Sequence, residues 1–364
     1  MHFLADLLIG ILMAYMLFTN SIANRISTWL TNTEELPTTI SEEIEPDNST
    51  LSFLPSRLER TIPDILLKSA DYQRAALGAA AGLTGETAEN PLDAIVNIYC
   101  TYITDSYIRT TTGTGFFIDP DGVILTNAHV AQFLLLETTH EGGDTECIVR
   151  AGTPAAPRYE ADLLYISPAW VLDNADEMHQ AVPMGTGERD YALLYVKDSI
   201  DGEPLPAAFP ALSVDTALLP VTMREATVTA AGYPATNLLV NGPSADLIPQ
   251  EASSTISELY TFGSNYADVI SIRGSAVGAE GASGGPIINE SGQVIGIIVT
   301  RGDDTLDGLG SLRAITLSHI ERTIHEETGF TLAQNISGNL PYRASIFATT
   351  LAPFLLTLLQ QAGA

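Results

Sequence analysis

Positive charge is scarce in this chain of 364 residues. Sixteen Lys and Arg stand against forty-four Asp and Glu, a formal net charge of −28, and only Lys68 and Lys197 are lysines. A surface of that sign repels phosphate backbones and anionic headgroups, so no nucleic acid is expected as a partner, and no anionic lipid surface. Cysteine is scarcer still. Cys100 and Cys147 are the only two, and neither is spaced with His140, His179, His319 or His325 as metal ligands are. No metal and no cofactor are expected. Long helical patterns are few between residues 90 and 300, which argues against an α/β fold. Apolar side chains, by contrast, make up 45% of the chain, ample for a core.

A long uncharged apolar run, Leu7 to Asn24, lies within a segment spanning residues 1–30. A bilayer span needs about 20 apolar residues. The run is a membrane anchor, or a signal peptide cut at the small-x-small sequence Ser21-Ile22-Ala23. The first reading gives a single-pass protein of the cell membrane with its folded part outside the cytoplasm. The second gives a secreted or periplasmic one. A basic segment before the run is missing, and Arg25 after it favours the opposite topology. Residues 31–60 form an acidic linker with Glu34, Glu35, Glu42, Glu43, Glu45 and Asp47, too poor in large apolar groups to order itself. Residues 61–89 turn helical, with Pro63 suited to a first turn.

From residue 90 the chain reads as β. Ala94 to Ile103 is strand-prone. Asp119-Pro120-Asp121-Gly122 is a hairpin turn between Gly115–Ile118 and Val123–Thr126. Short strands follow at regular spacing up to Thr300, as two packed β-barrels would give. Punctuation by Gly202, Pro204 and Pro210 puts the seam near 200–220. Leu317 to Thr328 reads as a helix stopped by Gly329, with Ile320, Ile324 and His325 inward. In residues 329–364, Phe347, Leu351, Leu355 and Leu358 mark an apolar helical face. It is a docked helix, with a second membrane contact as the alternative.

Gly281-Ala282-Ser283-Gly284-Gly285-Pro286 is the setting of an acyl-transfer nucleophile. Glycines allow a tight turn and the close approach of a carbonyl. A serine hydroxyl needs a base. His129, in Thr126-Asn127-Ala128-His129-Val130, takes that part, and Asp190, which opens an apolar run, orients it. Asp173 and Asp176 are rivals to Asp190, but neither precedes such a run.

These three stretches, in the order His…Asp…Ser, resemble the chymotrypsin-like serine proteases. Gly113 to Val130, Asp190 to Val196 and Gly281 to Ile297 are most similar to the bacterial HtrA/Deg type. The resemblance covers residues 90–328. It implies a mainly β fold of two packed six-stranded antiparallel barrels with a C-terminal helix. It also implies a serine endopeptidase acting on polypeptides through an acyl-enzyme, in extracytoplasmic processing or quality control. By the same likeness the amides of Gly281 and Ser283 form the oxyanion hole. Val277, Ile298, Val299 and Thr300 line a specificity pocket for a small or medium aliphatic side chain. Only 35 residues follow Gly329, too few for the PDZ domain such proteins usually carry, so none is expected here.

Departures from the pattern carry their own expectations. His129 and Asp190 stand 61 positions apart, which points to an inserted surface loop over 167–189. Ala282 occupies the place where digestive relatives use an aspartate to receive a new amino terminus, so that activation route is closed. Cys100 and Cys147 form a disulfide, which export permits, or remain two buried thiols. A catalytically silent binding or chaperone module on the same barrels is the alternative function. An esterase of the α/β-hydrolase type is disfavoured, because its order is Ser…Asp…His.

Overall fold

The Asp119–Gly122 turn folds as its composition demands. Gly122 takes φ 89°, its amide donates to the Asp119 carbonyl at 3.1 Å, and the Asp119 carboxylate accepts the Asp121 amide at 2.8 Å. Strand β2 (Ile108–Asp119) thereby returns as β3 (Val123–Thr126), which is buried on both faces. This computed structural model describes residues 88, 90–103, 108–137, 144–175, 187–236, 246–264, 266–274, 277–301 and 310–362. The apolar run 7–24, the linker 31–60 and nearly all of 61–89 lie outside the described residues.

Two closed antiparallel barrels of six strands each make up the β structure. The first joins β1 (Ile95–Ile103), β2, β3, β4 (Asp144–Ala151), β5 (Ala156–Ile166) and β6 (Ala192–Ser199) in the order β1-β2-β3-β6-β5-β4. The second joins β7 (Thr227–Gly232), β8 (Gln250–Tyr260), β9 (Val269–Ile272), β10 (Pro286–Asn289), β11 (Val294–Arg301) and β12 (Leu312–Thr316) in the order β10-β11-β12-β9-β8-β7. Closure leaves no sheet edge unpaired. Cys100 and Cys147 face each other across β1 and β4 and are joined as a disulfide.

The connector over 200–226 is stitched to both barrels. Phe209 and Leu212 donate their amides to Pro120 and Phe117 of the first barrel at 2.9 Å each, while Val294 of the second donates to Ser213 at 2.8 Å. The Phe209 ring packs on Phe117 and Tyr159, with centroids 4.7 and 5.5 Å away. The seam lies where the sequence puts it.

Short helices carry the functional loops: α1 (Pro91–Ala94), α2 (Ala128–Ala131), α3 (Phe133–Leu136) and α4 (Pro168–Asn174). Helix α4 corrects one expectation. Residues 167–175 are no surface loop, because Trp170 and Val171 are buried in the core and Ser167 caps the helix at the Trp170 amide. Residues 176–186 lie outside the described residues.

Helix α5 (Leu317–Thr328) starts at the Thr316 cap and stops at Gly329 in the left-handed region. Ile320 and Ile324 point inward, but His325 is exposed and Glu327 is buried in its place. The inner face runs through Ile320, Thr323, Ile324, Glu327 and Thr328, and His325 lies about 100° away from Ile324 around the axis.

The C-terminal residues are no loose tail. Helix α6 (Leu332–Asn335) packs on α5, while α7 (Leu340–Thr350) packs on β5 of the first barrel and α8 (Ala352–Ala362) on α3 and α4. Phe347, Leu351, Leu355 and Leu359 are buried there, each contributing roughly 1.5–3 kcal/mol. The inward residue of the last turn is Leu359 rather than Leu358, one step of four beyond Leu355, and the axis bends by 45° between α7 and α8. Arg343, buried, donates to the carbonyls of Gln334 and Ser337 at 2.7 and 2.9 Å. Among the described residues, no single helix is long and apolar enough to cross a membrane.

Candidate active site

His129 sits on the one-turn helix α2, directly after β3. The turn is closed by the Ala131 amide on the Asn127 carbonyl at 3.0 Å. Gln132 then reaches back, its amide nitrogen donating to the His129 carbonyl at 3.0 Å. The imidazole is therefore placed by a rigid strand end rather than by a free loop.

Asp190 uses both carboxylate oxygens on that histidine. Oδ1 accepts the His129 backbone amide at 2.9 Å, and Oδ2 lies 2.7 Å from His129 Nδ1. Asn127 donates to the Asp190 carbonyl at 2.9 Å. Asp190 has no exposed surface, so little water competes for these bonds and the pair is strongly oriented. Such a geometry fixes the tautomer with the proton on Nδ1 and leaves Nε2 as the basic nitrogen. Asp173, the described rival, is exposed on α4.

Two glycines shape the serine turn. Gly281 has φ 90° and Gly284 φ 86°, a region that other residues avoid. A Cβ on Gly281 would lie 2.6 Å from the Tyr233 carbonyl oxygen, and one on Gly284 would lie 2.0 Å from that of Thr114. The second contact ties the turn to the first barrel. Thr114, on β2, donates its amide to the Ser283 carbonyl at 2.7 Å and its hydroxyl to the Gly281 carbonyl at 2.6 Å. The same hydroxyl accepts the Tyr233 amide at 2.9 Å. Thr126, three residues before His129, donates to the Thr114 carbonyl at 2.7 Å. One short chain of hydrogen bonds thus runs from the strand that carries His129 to the turn that carries Ser283. The Ser283 hydroxyl, partly buried, donates to the Val299 carbonyl at 3.3 Å. Among the described residues, no protein acceptor is bonded to the amides of Gly281 or Ser283.

A family model for the trypsin-like peptidase domain matches residues 113–297, half of the chain, and that span includes His129, Asp190 and Ser283. The chain belongs to the trypsin-like peptidase family. It is a serine peptidase, a hydrolase of peptide bonds. Among solved structures it is similar to the Rv3671c protease of M. tuberculosis in its active form. That match has 21% identity over 69% of this chain and 92% of the other, with a TM-score of 0.39. An inactive serine-to-alanine mutant of the same protease matches at 19% identity over 73% and 93%, with a TM-score of 0.38. No protein of curated function matches.

Around this centre the peptidase places other expected residues less openly. Val277 and Ile298 belong to the core of the second barrel. Val299 is buried in the larger cluster that includes the first barrel, and Thr300 alone of the four keeps partial exposure. Thr114, Gln132 and Arg189 were not anticipated. Thr114 lies in plain view between Gly113 and Gly115, so its setting was the available signal.

Arg189, next to Asp190, takes φ 59°, a conformation costing roughly 1–2 kcal/mol for a residue with a Cβ. Burial, the largest single influence, opposes its charge, but Glu327 together with Tyr191, Glu188 and Tyr165 outweighs it and holds the guanidinium above its ordinary pKa. Burial likewise pushes the phenols of Tyr165 and Tyr191 well above their ordinary range, so both are neutral.

Proposed function

We propose that the peptidase cleaves polypeptides as a serine endopeptidase, with Ser283 as nucleophile, His129 as general base and Asp190 as its orienting acid. The observation that carries this reading is the buried Asp190 carboxylate, both of whose oxygens are directed at His129. In the reaction the Ser283 hydroxyl turns from the Val299 carbonyl toward His129 Nε2, gives up its proton and attacks the scissile carbonyl. The imidazolium, stabilised by Asp190, then protonates the leaving amine. The unengaged amides of Gly281 and Ser283 receive the developing oxyanion. A second attack by water on the acyl-enzyme releases the acid product.

The test is labelling by a serine-directed fluorophosphonate together with casein cleavage. Ser283→Ala and His129→Ala should abolish both, and Asp190→Asn should lower cleavage by about 10⁴-fold, as for comparable triads. Undiminished proteolysis by Ser283→Ala would sink the assignment, and so would a wild type that neither labels nor cleaves.

The likeness of the histidine block to the HtrA/Deg type supports a role in processing or quality control outside the cytoplasm. The Cys100–Cys147 disulfide supports an oxidising compartment. The apolar run 7–24 supports attachment to a membrane. The full chain should then sediment with membranes and resist carbonate, and deletion of residues 1–30 should release active peptidase. A soluble full chain whose first residue is Asn24 would replace the anchor with a cleaved signal.

A further inference from the structure

Asp190 lies at the tip of a tight turn whose two arms are fastened to one face of α5. The Tyr191 amide donates to the Arg189 carbonyl at 2.9 Å, closing the turn around Asp190. On the incoming arm, Arg189 Nε lies 3.4 Å from Glu327 Oε1, and a terminal guanidinium nitrogen lies 3.4 Å from Glu326 Oε2. On the outgoing arm, the Tyr191 hydroxyl meets the Thr323 hydroxyl at 2.8 Å. Thr323, Glu326 and Glu327 share a helix face by their spacing. Glu327 is itself fixed, accepting from Ser167 at 3.0 Å and from the Tyr165 hydroxyl. The Tyr165 ring stacks on Tyr191 with centroids 5.8 Å apart. Helix α5 lies beyond the segment that the family model matches.

We propose that Glu327 is a positioning residue of this peptidase: it clamps Arg189 and so fixes the direction in which Asp190 presents its carboxylate to His129. The proposal rests on the reading of Asp190 as the acid of the triad. A carboxylate that must serve the His129 amide and Nδ1 at once has little latitude, and a tilt of the turn loses one of the two bonds. A left-handed Arg189 persists only where its surroundings enforce it, and the ion pair to a buried, doubly hydrogen-bonded Glu327 supplies that enforcement. The groups facing Glu327 are Tyr165 and Ser167 from the first barrel, Arg189 and Tyr191 from the turn, and Glu326 on its own helix. Both phenols are neutral, so the charge of Glu327 acts on Arg189. Without it Asp190 drifts from His129, the imidazolium is stabilised less, and the pKa of His129 falls.

The experiment measures the rate of fluorophosphonate labelling of the full chain between about pH 5 and 9, where the acid limb reports the general base. Glu327→Gln should label about tenfold more slowly at neutral pH, with its acid limb moved to lower pH by about half a unit. Arg189→Gln should behave alike, and the double variant should be no slower than either single one, because one interaction is being removed. Glu321→Gln is the control on the same helix. Its carboxylate accepts the Leu332 amide at 2.8 Å, remote from the turn, so it should keep the wild-type rate and limb even if it melts earlier. Should Glu327→Gln fail to fold, Arg189→Gly removes the arm while easing the backbone, which offsets part of the cost of leaving Glu327 without its cation, and the folded variant should show the same slowing. A folded Glu327→Gln or Arg189→Gly with wild-type rate and acid limb overturns the proposal. Asp190→Asn keeps the two readings apart: if it labels like wild type the triad assignment falls, and if it is silent while Glu327→Gln is normal only the clamp falls.

Discussion

Glu137, which closes α3, ionises against its surroundings. It lies on the wall of a cavity of about 190 Å³ between α3, β5, β6 and the docked helices α7 and α8, beside Leu135, Leu163 and Phe347. Its carboxylate accepts the Cys147 amide. Burial pushes its pKa up from 4.5 to about 7, against the pull of that bond and of Lys197, and Asp162 and Glu160 add to the rise. Between those two values the folded protein holds a proton that the unfolded chain has lost, so stability falls as pH rises through the window. A rise of about 2.5 pH units at about 1.36 kcal/mol each gives roughly 3 kcal/mol as the upper bound on that loss. Glu137→Gln keeps an oxygen for the Cys147 amide and cannot ionise. Urea unfolding of both forms at several pH values isolates this residue, because the difference cancels the other acidic groups. The two should be about equally stable near pH 4.5, and the variant should be more stable by up to about 3 kcal/mol at pH 8. A difference that stays flat across the window would refute the reasoning.

Two further outcomes follow from the hydrogen bonds and the disulfide. Thr114→Val should cost about 1–3 kcal/mol for each buried group it strands, the Gly281 carbonyl and the Tyr233 amide, and should slow fluorophosphonate labelling; Thr114→Ser should restore both melting temperature and rate. Replacing Cys100 and Cys147 by alanine opens a loop of 47 residues, and chain entropy puts the loss near 4 kcal/mol. Denaturant midpoints with and without reductant should show that loss in the wild type and not in the double variant.

Much of this site was legible because its signals are local. Thr126 to Val130, Asp190 to Leu194 and Gly281 to Pro286 each bring their own strand, turn and glycines, so the residue and its setting are read together. The barrels follow from short strands and from the Asp119–Gly122 turn. What the sequence hides is contact at a distance. Glu327 is one of forty-four acidic residues, and its partner Arg189 lies on the far side of the second barrel's sequence. The period of α5 could have marked Glu327 as inward, but an acid there reads as solvated until a half-buried cation is known to face it. Leu359 escaped for a different reason. Leu358 and Leu359 both lie about one turn beyond Leu355, on either side of the line of the face, so apolar spacing alone does not choose between them. Trp170 and Val171 look like loop residues only while the cap at Ser167 goes unrecognised.

The serine turn keeps its shape without a charge. Ala282 is buried in the second barrel's core, where its methyl packs with Val277 and Ile298, and its amide donates to the Ala279 carbonyl at 3.1 Å. A carboxylate at that position would need a cationic partner to be buried at tolerable cost. Here the conformation is set instead by Gly281 against the Tyr233 carbonyl, by Gly284 against the Thr114 carbonyl and by the bonds of Thr114 to Gly281 and Ser283. All of these are neutral contacts between backbone groups and one hydroxyl, and none ionises between pH 4 and 9. They also link the turn to β2, which pairs with the strand before His129. The direction of the Gly281 and Ser283 amides is therefore coupled to the packing of the two barrels, and Ala282 offers no carboxylate to a freshly cut amino terminus. Among the described residues the Ser283 turn has no ion pair to make or break, which leaves access to the cleft and the Asp190 turn as the remaining places for control.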